Sequence, residues 1–254
     1  MTRDFRSRDE QRAAIAAAGE RYYYTPAQEF DDRNKKMVIA EMVPHLRRGR
    51  ILELGYTNSV WTDSLLPHAT AVDVVEAAPN HVARARKDFS ADARVRIVDS
   101  LFEDFTPDEP YDTVLMSGVI KHVPNDLDLV RRAKSWLKPG GVVIAATPNS
   151  RSFHRRLGTY MGLELRPDAA NSRDVEVMNL RMYDRFSWRA LFVEAGYDVV
   201  VLRGIFLKIL STEQMMLLEE RYDMNRIMEG LRQLAEELQD YAWYLLLVAR
   251  LSAA

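Results

Sequence analysis

The stretch Arg50-Ile-Leu-Glu-Leu-Gly-Tyr-Thr-Asn-Ser-Val-Trp61 joins a short apolar run, one glycine and the start of a helical pattern. The apolar residues of 51–54 indicate a buried strand, with the acidic Glu53 inside it. Gly55 and small, turn-forming residues follow, and apolar residues at helical spacing begin at Val60. A strand, a tight turn and a helix start together bring backbone N–H groups to a nucleotide-type ligand.

A second apolar run, 71–75, ends in Glu76, about 20 residues beyond Gly55. An acid at that distance can accept hydrogen bonds from ribose hydroxyls. The single glycine is a weak signal, because a dinucleotide site has the pattern G-x-G-x-x-G. An ordinary strand–turn–helix connection would explain 50–61 equally well if nothing else agreed. The order and spacing of the following segments therefore decide the interpretation.

Four further segments follow at regular intervals. They are Glu76-Ala-Ala-Pro-Asn80, Val98-Asp-Ser-Leu-Phe-Glu-Asp-Phe105, Tyr111-Asp-Thr-Val-Leu-Met-Ser-Gly-Val-Ile-Lys-His-Val-Pro124 and Leu137-Lys-Pro-Gly-Gly-Val-Val-Ile-Ala-Ala-Thr-Pro-Asn149. With the first stretch, they resemble class I S-adenosylmethionine-dependent methyltransferases, above all the ubiquinone-biosynthesis type of O-methyltransferase and its small-molecule relatives. The matching family patterns are E-x-G-x-G-x-G, a second-strand acid before a helix start, a third-strand acid, L-E-H-V-P and L-K-P-G-G. In the first pattern, Thr57 and Ser59 replace the last two glycines.

The resemblance implies a Rossmann-like, doubly wound α/β fold with a mostly parallel seven-stranded sheet and a last antiparallel strand. The alternation of strand and helix patterns along the chain agrees with a sheet covered on both faces. We expect an N-terminal helical lid at 1–48 and a methyltransferase domain at 49–254. Within that domain we expect a variable substrate segment at 148–182 and a helical insertion at 211–240. We also expect a turn at 138–141.

The resemblance also implies S-adenosylmethionine as cofactor, S-adenosylhomocysteine as product and an oxygen or nitrogen of a small molecule as methyl acceptor. Gly55 would let the backbone approach the methionine moiety, Glu76 would hold both ribose hydroxyls and Asp99 would meet the adenine amino group. Asp73 is the rival ribose acid, but the helix start follows Glu76. The full cofactor-binding set is Tyr24, Glu53, Gly55, Thr57, Glu76, Ala77, Asp99, Ser100, Leu101, Met116 and Ser117.

Methyl transfer from a sulfonium is a one-step displacement that needs donor and acceptor held in line and water excluded. A base is needed only when the acceptor must lose a proton. His122 is a candidate base or substrate contact because an ordinary histidine pKa of about 6.5 suits that task; the alternative is a structural histidine. His154 is the second candidate, with a solvated loop as its alternative. Tyr23, Asn149 and Arg155 are predicted substrate contacts.

The composition of the chain argues against several other classes of protein. The chain has 254 residues, 47% hydrophobic, a formal net charge of −2 and no cysteine. Near-neutral charge gives no general attraction to nucleic acid or membrane, and no disulfide or thiol nucleophile is available. The five histidines show no metal spacing, and His45, His68 and His81 are assigned to the surface. We expect a metal-independent, cytoplasmic monomer or homodimer that binds neither nucleic acid nor membrane.

Three other functions are alternatives to this interpretation. The same fold could serve as a cofactor-binding module or partner subunit without catalysis, as the replaced glycines suggest. A nicotinamide-dependent oxidoreductase is disfavoured because the chain lacks G-x-G-x-x-G and a Tyr-x-x-x-Lys pair. A nucleic-acid methyltransferase is disfavoured by the charge and by the absence of an N-P-P-Y-type tetrapeptide after the fourth strand.

Overall fold

The computed structural model contains one seven-stranded sheet, and it describes residues 5, 7–21, 26–163, 166–170, 172–219 and 221–251. The strands are β1 (Gly49–Leu54), β2 (Ala69–Glu76), β3 (Val95–Asp99), β4 (Tyr111–Ser117), β5 (Leu137–Pro148), β6 (Tyr197–Ile205) and β7 (Tyr244–Leu251). Their spatial order is β3-β2-β1-β4-β5-β7-β6. β7 runs antiparallel to both of its neighbours, and the other pairs are parallel. The predicted Rossmann-like α/β fold with a last antiparallel strand is therefore confirmed.

The strand order reverses between β1 and β4, which lie side by side in the middle of the sheet. β2 and β3 extend the sheet on one side of β1, and β4 and β5 extend it on the other. In open parallel sheets, ligands bind in the crevice outside the carboxyl ends of the strands at such a switch point. The fold therefore places its crevice at the residues that follow β1, β2 and β4.

The helices alternate with the strands, as the sequence pattern predicts. They are α1 (Arg8–Glu20), α2 (Pro26–Met42), α3 (Val60–Leu65), α4 (Pro79–Asp88), α5 (Asp126–Arg132), α6 (Phe153–Tyr160), α7 (Ser172–Glu176), α8 (Arg185–Glu194), α9 (Thr212–Glu219) and α10 (Met224–Glu237). None of the helices in the described part of the chain is long and apolar enough to cross a membrane.

Two apolar clusters, one on each face, hold the sheet between its helices. On one face Trp136, Trp188 and Phe192 pack with the inward side chains of β4, β5 and β7. On the other face Phe30 and Trp61 pack with the opposite side of the same strands. Each fully buried large apolar side chain contributes about 1.5–3 kcal/mol, so the central strands and their carboxyl ends are firmly positioned.

The prediction of a turn at 138–141 is wrong, because these residues belong to β5. Tyr111 pairs with Leu137 and Thr113 pairs with Val142, so the register between β4 and β5 shifts across the Pro-Gly-Gly sequence. Gly140 adopts the left-handed region at φ +78°, which glycine tolerates without cost. Because strand pairing continues on both sides of the glycines, they form an irregularity within one strand and do not end it.

Candidate active site

The carboxyl ends of β1, β2 and β4 open into a cavity of about 360 Å³. This volume is within the range of small-molecule sites. Ile15, Ala18 and Gly19 of α1 form part of its wall. The sheet-edge residues that line it are Gly55, Tyr56, Thr57, Glu76, Ala77, Ala78, Leu101, Phe102, Ser117 and Gly118. The structure thus brings together the predicted cofactor residues that follow three neighbouring strands.

The turn after β1 requires glycine at position 55 for two separate reasons. Gly55 has φ +81°, a conformation that costs other residues energy. A Cβ atom at this position would lie 2.5 Å from Cγ1 of Val119. The Gly55 N–H donates to the carbonyl of Val75 at 2.8 Å, which ties the turn to β2. The backbone is consequently bare where the turn borders the cavity.

Tyr56 and Thr57, which follow Gly55 in this turn, do not close the crevice. The Tyr56 side chain is buried against α4, where its hydroxyl donates to Asp88 at 2.6 Å and its ring meets Phe89 edge-on. The Thr57 carbonyl accepts from Arg84 at 3.0 Å. The larger side chain of Tyr56 is therefore accommodated behind the turn, and its backbone still lines the cavity.

Glu76 is the buried carboxylate at the tip of β2. It accepts backbone N–H groups from Tyr56 at 2.8 Å, Ala77 at 2.7 Å and Ala78 at 2.6 Å. A carboxylate offers about four acceptor sites, so Glu76 keeps capacity for a further donor from the cavity. The three backbone bonds fix its position between the first two strand ends.

The assignment of His81 to the surface is wrong. It is 8% exposed, lines the cavity, and its Nδ1 lies 3.8 Å from Oε2 of Glu76. The reason is that α4 begins at Pro79, directly after β2, so the first turn of the helix directs His81 back over the strand end. The sequence gives one indication of this position, namely that His81 lies in the first turn of the helix that begins at Pro79. This indication was not used in the sequence analysis.

Asp73, the rival ribose acid, is engaged elsewhere and does not line the cavity. Its carboxylate accepts from Arg96 at 2.9 Å, from Arg50 at 3.2 Å and from the hydroxyl of Tyr111 at 2.6 Å. Burial opposes its ionisation, yet these donors hold the pKa of Asp73 below its ordinary value. Asp73 therefore serves as the centre of an ion cluster that joins β1, β2, β3 and β4.

Glu53 lies beneath the turn and not in the cavity wall. It is buried and accepts a hydrogen bond from the Thr62 hydroxyl at 2.7 Å, which links β1 to α3. Burial raises the pKa of Glu53 to about 8, and the Thr62 bond only partly opposes that rise. The carboxyl group is therefore protonated at neutral pH and supports the helix that follows the turn.

Only some of the residues at the end of β3 and directly after it line the cavity. Leu101 and Phe102 line the cavity, whereas Asp99 and Ser100 do not. The Asp99 carboxylate is partly exposed and pairs with Arg12 of α1 at 3.2 Å. The Ser100 N–H donates to the carbonyl of Glu76 at 3.0 Å. A role for Asp99 or Ser100 in adenine binding therefore stays a prediction.

At the end of β4, too, only one of the two predicted residues lines the cavity. Ser117 lines the cavity, while Met116 lies one residue earlier and is fully buried in the apolar core. Gly118 follows with φ +72°, and its N–H donates to Ala146 of β5 at 2.8 Å. The chain therefore turns at the cavity edge and continues into the short 3-10 turn Ile120–His122.

Beyond β4 the cavity continues towards the ends of β5 and β7. This part of the wall, the far wall, consists of Asp31, Lys35, Lys121, His122, Val123, Pro148, Asp174, Val177, Met178, Asn179, Trp243 and Tyr244. The rings of Trp243 and Tyr244 meet edge to face with centroids 4.5 Å apart. The far wall therefore combines aromatic surface with several charged groups.

His122 lines this far wall, and its Nδ1 lies 3.0 Å from the carbonyl of Met178, to which it donates in the matching tautomer. Met178 adopts φ +56°, a strained conformation for a residue other than glycine. Burial, reinforced by the charge of Lys121, lowers the pKa of His122 to about 3, although the backbone of Met178 and of Gly118 opposes the change. The ring is thus neutral at pH 7 and is a weak proton acceptor.

Comparison with known proteins agrees with this geometry. Residues 27–202, more than half of the chain, match the family model described as a methyltransferase domain. The chain belongs to this family. The class I S-adenosylmethionine-dependent methyltransferase resemblance is thereby confirmed, and the residues of α1, α9, α10 and β7 lie outside the matched range.

Curated relatives of the methyltransferase match it over part of their length. A ubiquinone biosynthesis O-methyltransferase from Xanthomonas euvesicatoria pv. vesicatoria is 30% identical over 111 residues, which are 41% of this chain and 45% of that protein. The chain thus spans less than half the length of this relative. The shared part supports the family and leaves the acceptor of this chain to be established separately.

Solved structures match over nearly the whole chain. The complex of DhpI with SAM and HEP has a TM-score of 0.62 at 17% identity and covers 98% of this chain and 100% of that one. The N-methyltransferase NodS from Bradyrhizobium japonicum WM9, in complex with S-adenosylhomocysteine, has a TM-score of 0.56 at 12% identity and covers 96% and 98%. Identities this low establish the shared fold.

The cofactor half of the methyltransferase cavity fits an adenosyl sulfonium. Gly55 leaves backbone bare at the turn, and Glu76 presents a buried carboxylate with remaining acceptor capacity. Leu101 and Phe102 supply apolar surface suited to a purine ring. The crevice expected at the switch point is therefore open and is lined by the residue types that such a cofactor needs.

Three predicted ligand contacts lie outside the cavity wall or outside the described residues. Asn149 donates to the carbonyls of Asp240 and Ala242, both at 2.9 Å, and so ties the end of β5 to the residues before β7. Tyr23 and Tyr24 belong to the residues that the structure does not describe. The predicted ligand contacts of Asn149, Tyr23 and Tyr24 stay predictions.

His154 and Arg155 organise the segment after β5. Burial, with the charges of Lys208 and Arg155, lowers the pKa of His154 to about 3, and its Nδ1 has no hydrogen-bond partner in the described part of the chain. Arg155 donates to the carbonyls of Pro167 and Ala169 and pairs with Asp174 at 3.4 Å. Neither residue lines the cavity, so their catalytic and substrate roles stay predictions.

Lys121 is the far-wall group that sequence reasoning overlooked. It is half-buried between the end of β4 and the segment around Met178. Burial is the largest influence on it and lowers the pKa of Lys121 to about 8; Asp174 opposes the change, while Lys35 and Arg155 reinforce it. Its signal in the sequence was its place directly before His122 at the exit of the fourth strand.

Proposed function

We propose that this methyltransferase transfers a methyl group from S-adenosylmethionine to an oxygen or nitrogen of a small-molecule acceptor by in-line displacement. One observation carries the proposal. A single cavity runs from the Gly55 turn and Glu76 to the far wall around His122 and Trp243. Donor and acceptor can therefore meet inside one cavity, at the end of β4.

The residues of the chain would do three things. Glu76 would accept hydrogen bonds from the ribose, and the bare backbone at Gly55 would border the methionine moiety. Leu101 and Phe102 would flank the adenine. The cofactor, once bound, supplies an electrophilic methyl group on a sulfonium. Holding the reacting groups in line and excluding water accounts for most of the rate gain in such a displacement.

Water exclusion is assigned to α1, which forms part of the cavity wall through Ile15 and Ala18. Hydrogen bonds and exposed ion pairs join it to the body of the domain. Gln11 donates to Glu103 at 2.7 Å, and Asn80 donates to the carbonyl of Gly19 at 2.9 Å. A helix held by hydrogen bonds and exposed ion pairs can open for entry of ligands and close for the reaction. This supports the predicted lid in its N-terminal part.

A strong general base is not part of the proposal. His122 has a pKa of about 3 and holds an abstracted proton weakly. General bases act best with a pKa close to the operating pH. An acceptor that is already ionised, or an amine that is neutral in the site, can attack the methyl group without such a base. The described far wall therefore suits acceptors that arrive as nucleophiles.

The test is a binding titration followed by a transfer assay. Glu76→Gln should weaken S-adenosylhomocysteine binding about 10- to 100-fold, because a charge-assisted hydrogen bond contributes about 1.5–3 kcal/mol. Glu194→Gln, the same change at an exposed position of α8, should leave binding unchanged. Thermal unfolding of both variants controls for folding.

The transfer assay uses cofactor with a labelled methyl group and a panel of phenols, amines and carboxylic acids. Label should appear in at least one acceptor with the wild-type protein and should fall with Glu76→Gln in parallel with binding. Cofactor binding without transfer to any acceptor would favour a binding module or partner subunit. Absence of cofactor binding would refute the proposed function altogether.

A further inference from the structure

Lys121 lines the cavity, and among the described residues no carboxylate lies within ion-pair distance of its amine, although Asp174 acts on it from farther away. In the described part of the chain, its Nζ has no hydrogen-bond or ion-pair partner. Long charged side chains are seldom buried unless they are paired. Its pKa of about 8 leaves the group protonated at neutral pH. The far wall therefore presents a positive charge that no carboxylate of the described residues contacts directly.

Each carboxylate that lines the same wall already has a cation of its own. Asp174 pairs with Arg155 at 3.4 Å, and Asp31 lies 3.3 Å from Nζ of Lys208. The second lysine of the wall, Lys35, pairs with Asp32 at 2.7 Å. Lys121 is therefore the surplus charge of this wall.

Asn179 adds a second unsatisfied group to this wall. Its Nδ2 donates to Asp174 at 2.6 Å, whereas its Oδ1 is buried and has no donor in the described residues. The N–H of Leu180, the next residue, donates to the carbonyl of Lys121 at 2.9 Å. The two unsatisfied groups therefore lie on neighbouring, directly bonded segments. One is a hydrogen-bond donor with positive charge, and the other is an acceptor.

The family pattern at this position has the opposite charge. The sequence Ile120-Lys-His-Val-Pro124 matches L-E-H-V-P except that isoleucine stands in place of leucine and lysine in place of glutamate. The exchange replaces a carboxylate by an ammonium group next to His122.

We infer that the methyl acceptor is a small aromatic carboxylic acid. One carboxylate oxygen pairs with Lys121 and the other attacks the methyl group, so that the new C–O bond forms as the S–CH₃ bond breaks and S-adenosylhomocysteine leaves. The carboxylate is already ionised, so no proton has to be removed, and a neighbouring hydroxyl or amino group donates to Asn179. The rings of Trp243 and Tyr244 and the side chain of Met178 supply the apolar surface for its ring. A charge-assisted hydrogen bond from an ammonium group to a carboxylate is about twice as strong as a neutral one. The inference rests on the proposed function, because it assigns the acceptor of the same cavity.

The experiment measures binding by calorimetry to protein saturated with S-adenosylhomocysteine. Three pairs of probes are compared at pH 7: benzoate with benzamide, 2-hydroxybenzoate with 2-hydroxybenzamide, and cinnamate with cinnamamide. At least one carboxylate should bind ten or more times more tightly than its amide. That preference should fall below twofold in Lys121→Met and should persist in Lys36→Met, the same change at an exposed position of α2.

Two further measurements test the Asn179 contact and the Lys121 contact separately. Asn179→Leu should reduce the advantage of 2-hydroxybenzoate over benzoate and leave the preference for benzoate over benzamide intact. The carboxylate preference should fall about tenfold for each pH unit above 8, because Lys121 then loses its proton. Asp174, Lys35, Arg155 and His122 are the charged or titratable groups that act on Lys121, and none of them is altered in Lys121→Met.

Carboxylates that bind no better than amides in all three pairs, absence of binding included, would overturn the inference. An equal preference in Lys121→Met and the wild type would overturn it as well. The affinity for S-adenosylhomocysteine is measured first in every variant. Failure of that binding in the wild type would instead refute the proposed function, so the two failures are distinguishable.

Discussion

Replacing Gly55 by alanine should destabilise the methyltransferase through two contributions that can be measured separately. The left-handed backbone at φ +81° costs a residue with a side chain about 1–2 kcal/mol. The new Cβ would lie 2.5 Å from Cγ1 of Val119, and overpacking of this kind costs about 1–3 kcal/mol. The free energy of unfolding should therefore fall by about 2–5 kcal/mol.

Two other glycines provide matched controls for these contributions. Gly140 has φ +78°, but an alanine Cβ at this position would meet no atom within 4 Å, so Gly140→Ala should show the backbone cost alone. Gly158 lies in α6 without positive φ and also has open space around it. Gly158→Ala should be neutral or should stabilise the protein by up to about 1 kcal/mol.

The assay is urea unfolding at 25 °C with S-adenosylhomocysteine binding measured in the absence of denaturant. The double variant Gly55→Ala with Val119→Ala should recover the steric part of the loss but not the backbone part, which gives a coupling energy of about 1–3 kcal/mol. Gly55→Ala should also bind the cofactor product more weakly than Gly140→Ala does. If Gly55→Ala and Gly140→Ala lose equal stability and retain equal binding, the reasoning about this turn is refuted.

Four other predictions follow from the described contacts. Asp73→Ala should lower the free energy of unfolding by about 1–3 kcal/mol, because it leaves the buried Tyr111 hydroxyl without its acceptor. It should leave S-adenosylhomocysteine affinity unchanged, and an affinity loss equal to that of Glu76→Gln would contradict this. Glu53 has a pKa of about 8 in the folded state and 4.5 unfolded, so its contribution to stability is complete below pH 4.5 and lost as the pH rises through 8. Glu53→Gln should therefore show a smaller fall in unfolding free energy between pH 5 and pH 8 than the wild type in urea titrations. His122→Asn should reduce kcat less than about tenfold, and the pH–rate profile of the wild type should lack an inflection near 6.5, since a strong base contributes 10²–10⁴. A chelator should leave methyl transfer unchanged, because the described residues contain no group of three His, Cys, Asp or Glu side chains placed to hold a metal ion.

The fold could be predicted because its signals are local and repeated. Each parallel strand is an apolar run that leads to a helix, and the antiparallel strand β7 is a dense apolar segment near the end of the chain. The position of Glu76 could be predicted as well, since a strand tip must lie at the carboxyl edge of the sheet. These statements need only strand ends and strand order, which the sequence pattern carries.

Side-chain direction could not be predicted, because it depends on neighbours that are distant in sequence. His81 was assigned to the surface, yet the first turn of α4 directs it over Glu76. Asp99 ends a strand as Glu76 does, but Arg12 of α1 engages its carboxylate outside the cavity. Lys121 gave little signal, because lysines are mostly solvated and its desolvation results from the segment around Met178.

The central claim is that the carboxylate of Glu76 holds the ribose of the cofactor at the crevice between β1 and β2. The most direct measurement is a solved complex with S-adenosylhomocysteine. The prediction is that a ribose hydroxyl lies within about 3 Å of a Glu76 oxygen, with the homocysteine along the Gly55 turn. An adenosine bound elsewhere, or a Glu76 carboxylate that contacts only the backbone of Tyr56, Ala77 and Ala78, would contradict the account.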